Sequence, residues 1–281
     1  MTSHRIRTWL ITGASQGLGR AFAEAALDAG EAVVATSRTP ESLKDLAGEH
    51  GERLTILPLD VTNRSEVLVT VTEAARAAGG IDVLVTNAGY GLSGAVEEVD
   101  ERQARDQMDV NFFGALWCVQ AVLPVMRAQG SGHIFQISSI AAIATYPNLG
   151  MYCASKWALD GMSESLASEV AGFGIGVTIV ELGEFRTKWS AGSMARATPM
   201  PEYDEVLAKW RHGMSGAYAD IQPGDPRKAG AALLRVLDSA KPPLRLLLGT
   251  SAAELAPRVY RERIGEWAEW DDLARAVDHH S

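Results

Sequence analysis

The chain has 281 residues, of which 22% are charged and 47% hydrophobic, and its formal net charge is −9. These proportions exclude a disordered chain and a membrane-embedded one. The acidic balance also argues against a sequence-independent nucleic-acid binder, which needs a basic surface to displace counterions from phosphates. A small molecule is therefore the expected partner, with no nucleic acid.

The beginning of the chain and its apolar stretches indicate the compartment. Residues 1–7 are partly basic but run directly into a short apolar stretch without a cleavage site, unlike a signal peptide. The uncharged stretch Val110–Met126 has 17 residues, fewer than the roughly 20 that a membrane-spanning helix needs. Cys118 and Cys153 lie in apolar helical patterns and indicate no disulfide framework. We therefore expect a cytoplasmic protein with no membrane partner.

Short apolar runs alternate with amphipathic segments along the chain. The runs predict strands at Thr8–Thr12, Ala32–Ser37, Leu54–Leu59, Asp82–Thr86, His133–Ser138, Gly176–Glu181 and Leu244–Leu248. The amphipathic segments predict helices at Gly19–Ala29, Ser65–Ala78, Glu101–Ala128, Met151–Ala171 and Pro226–Ser239. Most of these strands are apolar throughout, which is typical of a parallel sheet covered on both faces. The predicted fold class is α/β: a single doubly wound, seven-stranded parallel sheet with helices on both faces, in one domain over residues 1–281.

One segment, 184–222, departs from this alternation. It shows no strand pattern and is interrupted by Gly and Pro, and its aromatic and Met residues are Trp189, Met194, Met200, Tyr203, Trp210, Met214 and Tyr218. Because the segment follows the sixth predicted strand, we expect a lid over a ligand. The alternative is a pair of surface helices that pack on the core.

A glycine-rich turn follows the first predicted strand and opens the first helix. Glycines there let the backbone approach a diphosphate, whose charge then lies on the free N–H groups and the positive end of the helix. The predicted dinucleotide-binding residues of this turn are Gly13, Ser15, Gln16, Gly17, Leu18 and Gly19.

The end of the second strand indicates which dinucleotide binds. NAD-binding folds of this kind place a carboxylate about 20 residues beyond the glycines, where it binds the ribose hydroxyls. Here the strand ends in Ser37 and Arg38, with no carboxylate. A hydroxyl and a guanidinium suit a 2′-phosphate. We therefore predict NADP as the cofactor; the alternative is that Arg38 begins a solvated surface loop.

The candidates for reactive groups follow the fifth strand. Tyr152 and Lys156 are four residues apart in a predicted helix, so both side chains emerge on one face. Ser138 and Ser139 end the strand at the carboxyl edge of the sheet, where ligands of such folds bind. Asn111 lies in the preceding predicted helix.

In these features the sequence resembles the short-chain dehydrogenase/reductase family, in its compact single-domain branch. The match covers nearly the whole chain and includes Thr12-Gly-x-x-x-Gly17-x-Gly19, Asp60-Val61, Asn87-Ala88-Gly89, Asn111, Ser139, Tyr152 and Lys156. The resemblance implies that Asp60 and Val61 contact the adenine and that Asn87, Ala88 and Gly89 border the cofactor. It also implies a catalytic tetrad of Asn111, Ser139, Tyr152 and Lys156, with Tyr152 and Lys156 also contacting the cofactor and Ser138 as a strand-end neighbour.

One family feature is changed after the sixth strand. Where the family has Pro-Gly, this chain has Leu182-Gly183. Leucine keeps an N–H and a freer φ than proline, so the course of the loop beside the nicotinamide is left open. Thr187 matches the position that holds the nicotinamide amide, and we expect it to bind there.

Together these residues predict hydride transfer between NADP(H) and a secondary alcohol or ketone that is hydrophobic. A tyrosine with a pKa near 10 is a poor base. A Lys156 cation about 4 Å away, at an effective dielectric near 20, would stabilise the phenolate by roughly 4 kcal/mol before desolvation, which would lower the pKa of Tyr152 by about 2 units or more. In reduction, Tyr152 donates its proton to the carbonyl oxygen, and Ser139 donates a hydrogen bond to it. Lys156 should also reach the nicotinamide ribose, and the resemblance assigns Asn111 a water in the proton relay.

Two other functions compete with this prediction. One is a non-catalytic NADP-binding regulatory protein of the same fold, against which the intact Ser139, Tyr152 and Lys156 argue. The other is epimerase or dehydratase chemistry on nucleotide sugars, which the longer branch of the family performs. That branch spaces its glycines as Thr-Gly-x-x-Gly-x-x-Gly, unlike this turn.

The remaining reactive side chains favour structural interpretations. Cys153 is interpreted as a packing residue beside Tyr152 rather than a redox switch. The pair His279 and His280 is interpreted as a polar tail, so no metal is expected. Three arginines among acidic residues predict a solvated helix face: Arg258, Arg261 and Arg263.

The predicted helix Glu101–Ala128 indicates the assembly. Beyond its polar start it carries Phe112, Phe113, Leu116, Trp117, Val119, Val122, Leu123 and Met126. This is more apolar surface than one stripe against a sheet needs. We therefore expect a homo-oligomer, either a dimer or a tetramer.

Overall fold

The structure is a computed structural model that describes residues 5–187, 193–213 and 222–278. Its strands are β1 Thr8–Ile11, β2 Ala32–Ser37, β3 Leu54–Pro58, β4 Val83–Thr86, β5 Leu92–Ser93, β6 Gly132–Ile137, β7 Ile175–Leu182, β8 Ala195–Arg196 and β9 Arg245–Leu248. Its helices are α1 Gly17–Asp28, α2 Lys44–His50, α3 Arg64–Ala78, α4 Glu101–Met108, α5 Gly114–Gln129, α6 Gly150–Val170, α7 Asp204–Gly213, α8 Pro226–Leu237, α9 Thr250–Glu269 and α10 Asp271–Ala276.

Within the described ranges, seven strands form one parallel sheet in the order β3-β2-β1-β4-β6-β7-β9. The chain builds outward from β1 first in one direction and then, from β4 on, in the other. The carboxyl ends of β1 and β4 therefore border the crevice where ligands of such sheets bind. The predicted α/β fold is confirmed, and each predicted strand agrees with the observed one to within one residue at either end.

Alternate side chains of the strands pack on opposite faces of the sheet. Trp9 and Ile11 of β1 join a core with α1 and α8. Leu10, between them, joins a second core with α3, α5 and α6. Because both faces are covered, these strands need apolar residues at successive positions, which explains their unbroken apolar runs.

The predicted helix Glu101–Ala128 is not one regular α-helix. It divides into α4, a π turn at Asp109–Phe113, and α5. A π turn inserts an extra residue into the turn, and such insertions occur frequently at functional sites. Here the π turn contains Asn111, which is 1% exposed and points inward.

The same stretch has the dimensions of a membrane span. Among the described residues, Glu101–Gln129 is one helical stretch long and apolar enough to cross a membrane by length and composition, although the uncharged part alone looked too short. Several apolar residues of α5 face the protein core. Cys118, Val122 and Met126 are buried against the sheet in the second core. Part of the apolar composition of this stretch therefore belongs to the core.

Segment 184–222 contains a strand that its sequence did not indicate. β8 pairs in parallel with β5, with backbone hydrogen bonds from Ala195 N to Gly91 O and from Ala197 N to Ser93 O, both 2.8 Å. The prediction of no strand there was wrong, because a two-residue strand is too short for any alternation to be visible. α7 supplies one of the helices of the segment. Trp189, Met214 and Tyr218 lie outside the described residues, as do His279 and His280.

Candidate active site

The predicted glycine turn connects β1 to α1 at the carboxyl edge of the sheet. Gly13 and Gly17 have positive φ angles of 65° and 59°, which favour glycine. A Cβ on Gly13 would come within 2.9 Å of Ala88 Cα, and one on Gly19 would clash with Asn87 Nδ2 and Gly13 O. The turn is therefore packed directly against the end of β4 and admits no side chains at these positions.

Side-chain and backbone hydrogen bonds lock the turn to β4. Asn87 Nδ2 donates to Thr12 O at 2.9 Å and to Gly13 O at 3.1 Å. Thr12 Oγ1 accepts from the backbone N–H groups of Asn87 and Ala88, both at 3.0 Å. These bonds bring the predicted cofactor residues of two neighbouring strands into one rigid rim.

The first turn of α1 faces this rim. Gln16, the residue before the helix, makes no side-chain capping bond, so the helix start keeps free N–H groups that suit a phosphate. Ser15 is half-buried and Gln16 is exposed. Thr187 comes to the same place from the loop after β7, since its Cβ lies 3.7 Å from the position that a Cβ on Gly17 would take.

Asn111 fastens the loop after β4. Its Nδ2 donates to Tyr90 O at 2.9 Å and to Ser155 Oγ at 3.1 Å, and its Oδ1 accepts from Tyr90 N at 3.0 Å. Gly89 allows this approach, because a Cβ there would lie 3.2 Å from Asn111 Oδ1. The amide thus links the π turn to α6 and to the predicted cofactor loop. Sequence reasoning did not single out Tyr90, and no motif marks it.

The other members of the predicted tetrad meet between β6 and α6. Ser139 follows β6, and its Oγ accepts from Ala141 N at 3.1 Å at the start of a short 3₁₀ turn. Tyr152 is 7% exposed and shares a hydrogen bond with Ser139. Lys156 is 6% exposed, and its Nζ donates to Ile137 O at 2.8 Å. The residues that the sequence selected therefore meet at the carboxyl edge of the sheet.

The pKa of Tyr152 is raised, whereas the sequence predicted that it would be lowered. Burial raises it to about 12, while the hydrogen bond with Ser139 lowers it. The expected lowering by Lys156 is wrong for the protein alone. Burial also lowers the pKa of Lys156 itself, to about 8, and the ammonium is bound to the Ile137 carbonyl. Desolvation is thus the largest influence on the pKa of each side chain.

The end of β2 provides the predicted ribose end of the cofactor site. Ser37 is buried, and its Oγ accepts from Thr39 N at 3.0 Å. Arg38 is exposed and forms no hydrogen bond or ion pair within the described part of the chain. Burial raises the pKa of Tyr90, as do the charges of Asp106 and Asp109. The charge of Arg38 opposes this rise, so Arg38 acts on the cofactor rim.

Asp60 and Val61 lie beside this end. Leu59 N donates to Ser37 O at 3.1 Å, which brings the residue before Asp60 next to β2. Asp60 Oδ1 accepts from Thr62 N and Thr62 Oγ1, at 3.0 and 2.8 Å. Val61 is buried against Gly114, where a Cβ would come within 2.7 Å of Val61 Cγ2. The two residues that are predicted to contact the adenine therefore lie in a loop that hydrogen bonds and packing hold in place.

The loop after β7 shows where leucine replaces proline. β7 continues through Leu182 in register with Leu248, and Gly183 N donates to Leu248 O at 2.8 Å. Two bonds with Gly224 then hold the loop: Gly224 N donates to Glu184 O at 3.0 Å and Arg186 N to Gly224 O at 2.8 Å. The sequence left the course of this loop open. In the structure, β7 continues through Leu182, and the turn that follows is held by the hydrogen bonds with Gly224.

The described part of segment 184–222 is tied to residues 95–103. Glu98, whose side chain is 1% exposed, accepts from Met200 N at 2.8 Å and forms an ion pair with Arg211 of α7. On the inner side, the ring of Trp210 meets that of Tyr146 edge-on, with centroids 6.4 Å apart. Tyr146 also packs against the buried cluster of Ala141, Tyr152 and Cys153. α7 therefore reaches the candidate active site.

One arginine of the predicted solvated face is half-buried and packs against a loop. Arg263 of α9 donates to Ile143 O, and its guanidinium lies 4.7 Å from the ring centre of Trp157. Trp157 Nε1 in turn donates to Ala141 O at 3.0 Å. α9 thus braces the loop that follows Ser139. The prediction was wrong for Arg263, because the charge pattern cannot show that a helix packs against a loop; Arg258 pairs with Glu262 at 3.8 Å and agrees with it.

The cysteines and possible metal ligands lend no further chemistry. Cys118 and Cys153 are free thiols, both buried. Burial raises the pKa of the Cys153 thiol, which agrees with a packing residue. No group of three His, Cys, Asp or Glu side chains lies close enough to hold a metal ion in the described ranges.

Comparisons with known proteins show which proteins the chain is similar to. The family model for "short chain dehydrogenase" matches residues 7–197. Oxidoreductase BOA17 of Botryotinia fuckeliana is 40% identical over 96% of this chain and 98% of its own. A 3-ketodihydrosphingosine reductase of Bacteroides thetaiotaomicron is 36% identical over 85% of this chain and 87% of its own.

Solved structures share the fold of this chain. A short-chain dehydrogenase from Streptomyces avermitilis has a TM-score of 0.92 at 40% identity, and the match covers 98% of this chain and 100% of that one. More distant structures with the same fold hold NADP in some cases and NAD in another.

Proposed function

The chain belongs to the short-chain dehydrogenase family, and we propose that it transfers a hydride between NADP(H) and a secondary alcohol or ketone. The observation that carries the proposal is the hydrogen bond between Tyr152 and Ser139, with Lys156 one helical turn further on, beside the glycine turn. The proton donor Tyr152, the hydrogen-bond donor Ser139 and the glycine turn would then surround the carbonyl group of a bound substrate.

The residues of the rim fit a dinucleotide. A cradle without side chains at Gly13, Gly17 and Gly19 leaves backbone N–H groups for the diphosphate. Asp60 and Val61 would border the adenine, and Asn87, Ala88, Gly89 and Thr187 the nicotinamide half. When bound, the cofactor supplies the hydride.

The preference for NADP over NAD rests on the side chain of Arg38. This arginine is exposed and unpaired among the described residues, whereas Arg20 of α1 is bound to Asp45 and Glu24. A guanidinium that is not committed to a protein carboxylate is available to a 2′-phosphate.

Tyr152 acts as the proton donor of the reduction. Burial raises its pKa to about 12, so the phenol holds its proton at neutral pH. As hydride reaches the carbonyl carbon, the Tyr152 hydroxyl gives that proton to the carbonyl oxygen, and Ser139 donates a hydrogen bond to the same oxygen. Lys156 would hold the nicotinamide ribose of the bound cofactor and would stabilise the phenolate that remains. Asn111 fixes the loop at Tyr90 and would order a water of the proton relay.

The substrate is proposed to be bulky and hydrophobic. Tyr146 and Trp210 present aromatic rings beside Tyr152, and such surfaces bind apolar groups. The relative that reduces 3-ketodihydrosphingosine supports this class. Segment 184–222 is the proposed lid, on one catalytic domain that extends over residues 1–281. Buried free thiols at Cys118 and Cys153 support a cytoplasmic location.

The test is steady-state kinetics with NADPH and NADH across a set of ketones, followed at the nicotinamide absorbance. We expect a higher kcat/KM with NADPH. Ser37→Asp should reverse the preference, since a carboxylate repels the 2′-phosphate and accepts the ribose hydroxyls. Arg38→Ala should weaken NADPH selectively, with Arg76→Ala, an exposed arginine of α3, as the matched control.

Two results would contradict the proposal. An equal or better kcat/KM with NADH would overturn the cofactor assignment. NADPH binding without turnover of any carbonyl or alcohol would favour the regulatory protein instead.

A further inference from the structure

A group of four charged side chains lies behind the candidate active site. The proposed reaction uses only one of them, Lys156. Lys156 and Asp160 come from α6, Glu181 from β7 and Arg245 from β9. Asp160 is 3% exposed and Glu181 1%. Arg245 binds both carboxylates and, nearer the surface, a third, that of Glu164. Burial raises the pKa of Asp160 and of Glu181, that of Glu181 to about 7. Buried charges are tolerated when they are paired and hydrogen-bonded in this way.

Two consecutive turns of α6 hold two consecutive residues at the end of β6. Lys156 Nζ donates to Ile137 O at 2.8 Å, and Ser138 Oγ donates to Asp160 Oδ1. The next residue is Ser139. Helix α6, which carries Tyr152, is therefore fixed against the strand end that carries its hydrogen-bond partner. The pair Ser138 and Asp160 sets this register directly.

The other oxygen of Asp160 is fixed from the edge of the sheet. Arg245 Nη1 donates to Asp160 Oδ2 at 3.0 Å and also binds Glu181. Arg245 Nε further donates to Glu164 Oε1 at 2.9 Å, nearer the surface. Both carboxylate oxygens of Asp160 thus have partners, so the side chain is held in one orientation.

Asp160 also supplies charge. Burial lowers the pKa of Lys156 to about 8, and the charge of Asp160 raises it. Tyr152 lies one turn before Lys156 on the same helix. Glu181 and Arg245 lie beyond Asp160, and the π turn and β6 contribute the uncharged Asn111 and Ile137 carbonyl. Asp160 is therefore the anion through which the group acts on Lys156.

We propose that Asp160 is a positioning residue for the oxidoreduction: its carboxylate fixes the strand end that carries Ser139 and serves as the counter-charge of Lys156. The inference rests on the proposed function and deepens it. A merely structural ion pair would affect the free energy of unfolding but not the pH dependence of turnover, and this difference makes the inference testable.

The experiment measures kcat, KM and NADPH affinity for Asp160→Asn with a ketone that the wild type reduces. In reduction the active enzyme holds protons on Tyr152 and Lys156. Removing a negative charge makes either proton easier to lose, so the alkaline limb of kcat moves to lower pH. We expect a shift of about one pH unit and a kcat about tenfold lower, with NADPH affinity changed less than kcat.

Three further variants separate the contributions. Ser138→Ala keeps the charge and should lower kcat without moving the limb. Asp160→Glu should restore the position of the limb. Glu164→Gln removes a carboxylate from the same Arg245 and touches neither Lys156 nor Ser138, so it should match the wild type.

The outcomes are distinct. A folded Asp160→Asn protein with the wild-type kcat and alkaline limb overturns the inference and leaves the proposed function intact. If Asp160→Asn does not fold, a wild-type kcat in Ser138→Ala together with an alkaline limb that moves in Asp160→Glu overturns it. An inactive wild type overturns both, because the inference rests on that activity.

Discussion

Tyr152 lies in a site that stabilises its phenol more than its phenolate. The side chain is buried, and burial dominates its pKa, which is about 12. A proton donor is useful in the reduction direction, where the carbonyl oxygen gains a proton. Oxidation of an alcohol would need the phenolate, for which the charge of Lys156 is the available stabiliser.

We expect Tyr152→Phe to lower kcat by about 10³-fold, since positioned proton transfer contributes about 10²–10⁴-fold. NADPH affinity, measured by fluorescence titration, should change little, because the hydroxyl gives the cofactor few contacts. Tyr203→Phe is the matched control, as its hydroxyl donates to the carboxylate of Glu97 at an exposed site. A Tyr152→Phe enzyme with the wild-type kcat would mean that another acid serves.

The residues of the site could be predicted from spacing, but their protonation could not. Spacing along a helix and the order of strands bring Ser139, Tyr152 and Lys156 together in any fold of this topology. The pKa of Tyr152 depends on how completely water is excluded, and that depends on packing from distant parts of the chain. For the same reason the sequence did not mark Asp160, whose partners Ser138 and Arg245 lie 22 and 85 residues away.

At the scale of elements, the glycine turn fixes how closely β1, α1 and β4 approach. Gly19 is buried in this contact, and a Cβ there would clash with Asn87 Nδ2 and with Gly13 O. Asn87 is the residue that holds the turn to β4. A side chain at Gly19 would therefore displace both the turn and the amide that supports it.

We expect Gly19→Ala to lower the free energy of unfolding by about 2 kcal/mol, the usual cost of overpacking, and to weaken NADPH binding. Gly48→Ala is the matched control. It lies in α2, where an added methyl group would have nothing within 4 Å, so alanine should be neutral or stabilising by up to about 1 kcal/mol. Denaturant titration of both variants measures this. Equal stability of the two would show that the turn can relax.

The lid segment was predictable by composition and placement, but not by its contacts. Aromatic and Met residues after the sixth strand indicated a cover for a ligand. The two-residue strand β8 and the ion pair of Arg211 with Glu98 left no pattern, since one is too short and the other joins residues 113 apart. The π turn at Asn111 is hidden likewise, because one inserted residue barely changes a helical period.

Trp210 should contribute to substrate choice. We expect Trp210→Ala to lower kcat/KM for bulky hydrophobic ketones by about tenfold, equivalent to about 1.4 kcal/mol of lost apolar contact, and to affect small polar ketones little. Trp267→Ala, at a tryptophan of α9 that is 64% exposed, is the control. Unchanged values for every active ketone would show that α7 is only a structural cover.

At the scale of the molecule, two exposed apolar surfaces formed by the described residues compete as oligomer interfaces. One lies at the start of α5, where Phe113 stacks on Trp117 with centroids 5.7 Å apart and Arg64 lies 5.1 Å from the Trp117 ring. The other follows α9 and α10, with exposed Tyr260, Ile264, Trp267, Trp270, Leu273 and Val277. The sequence indicated only the first, from the excess of apolar residues in Glu101–Ala128.

We predict that the chain forms a homo-oligomer through the α5 surface, because an aromatic cluster of this size is costly to leave in water. Sedimentation at micromolar concentration should give a mass above that of one chain, and Phe113→Asp should reduce it to a monomer by placing a charge in the cluster. Trp270→Asp introduces the same charge on the other surface and should leave the mass unchanged. A monomeric wild type would contradict the prediction, and dissociation by Trp270→Asp alone would move the interface to α9 and α10.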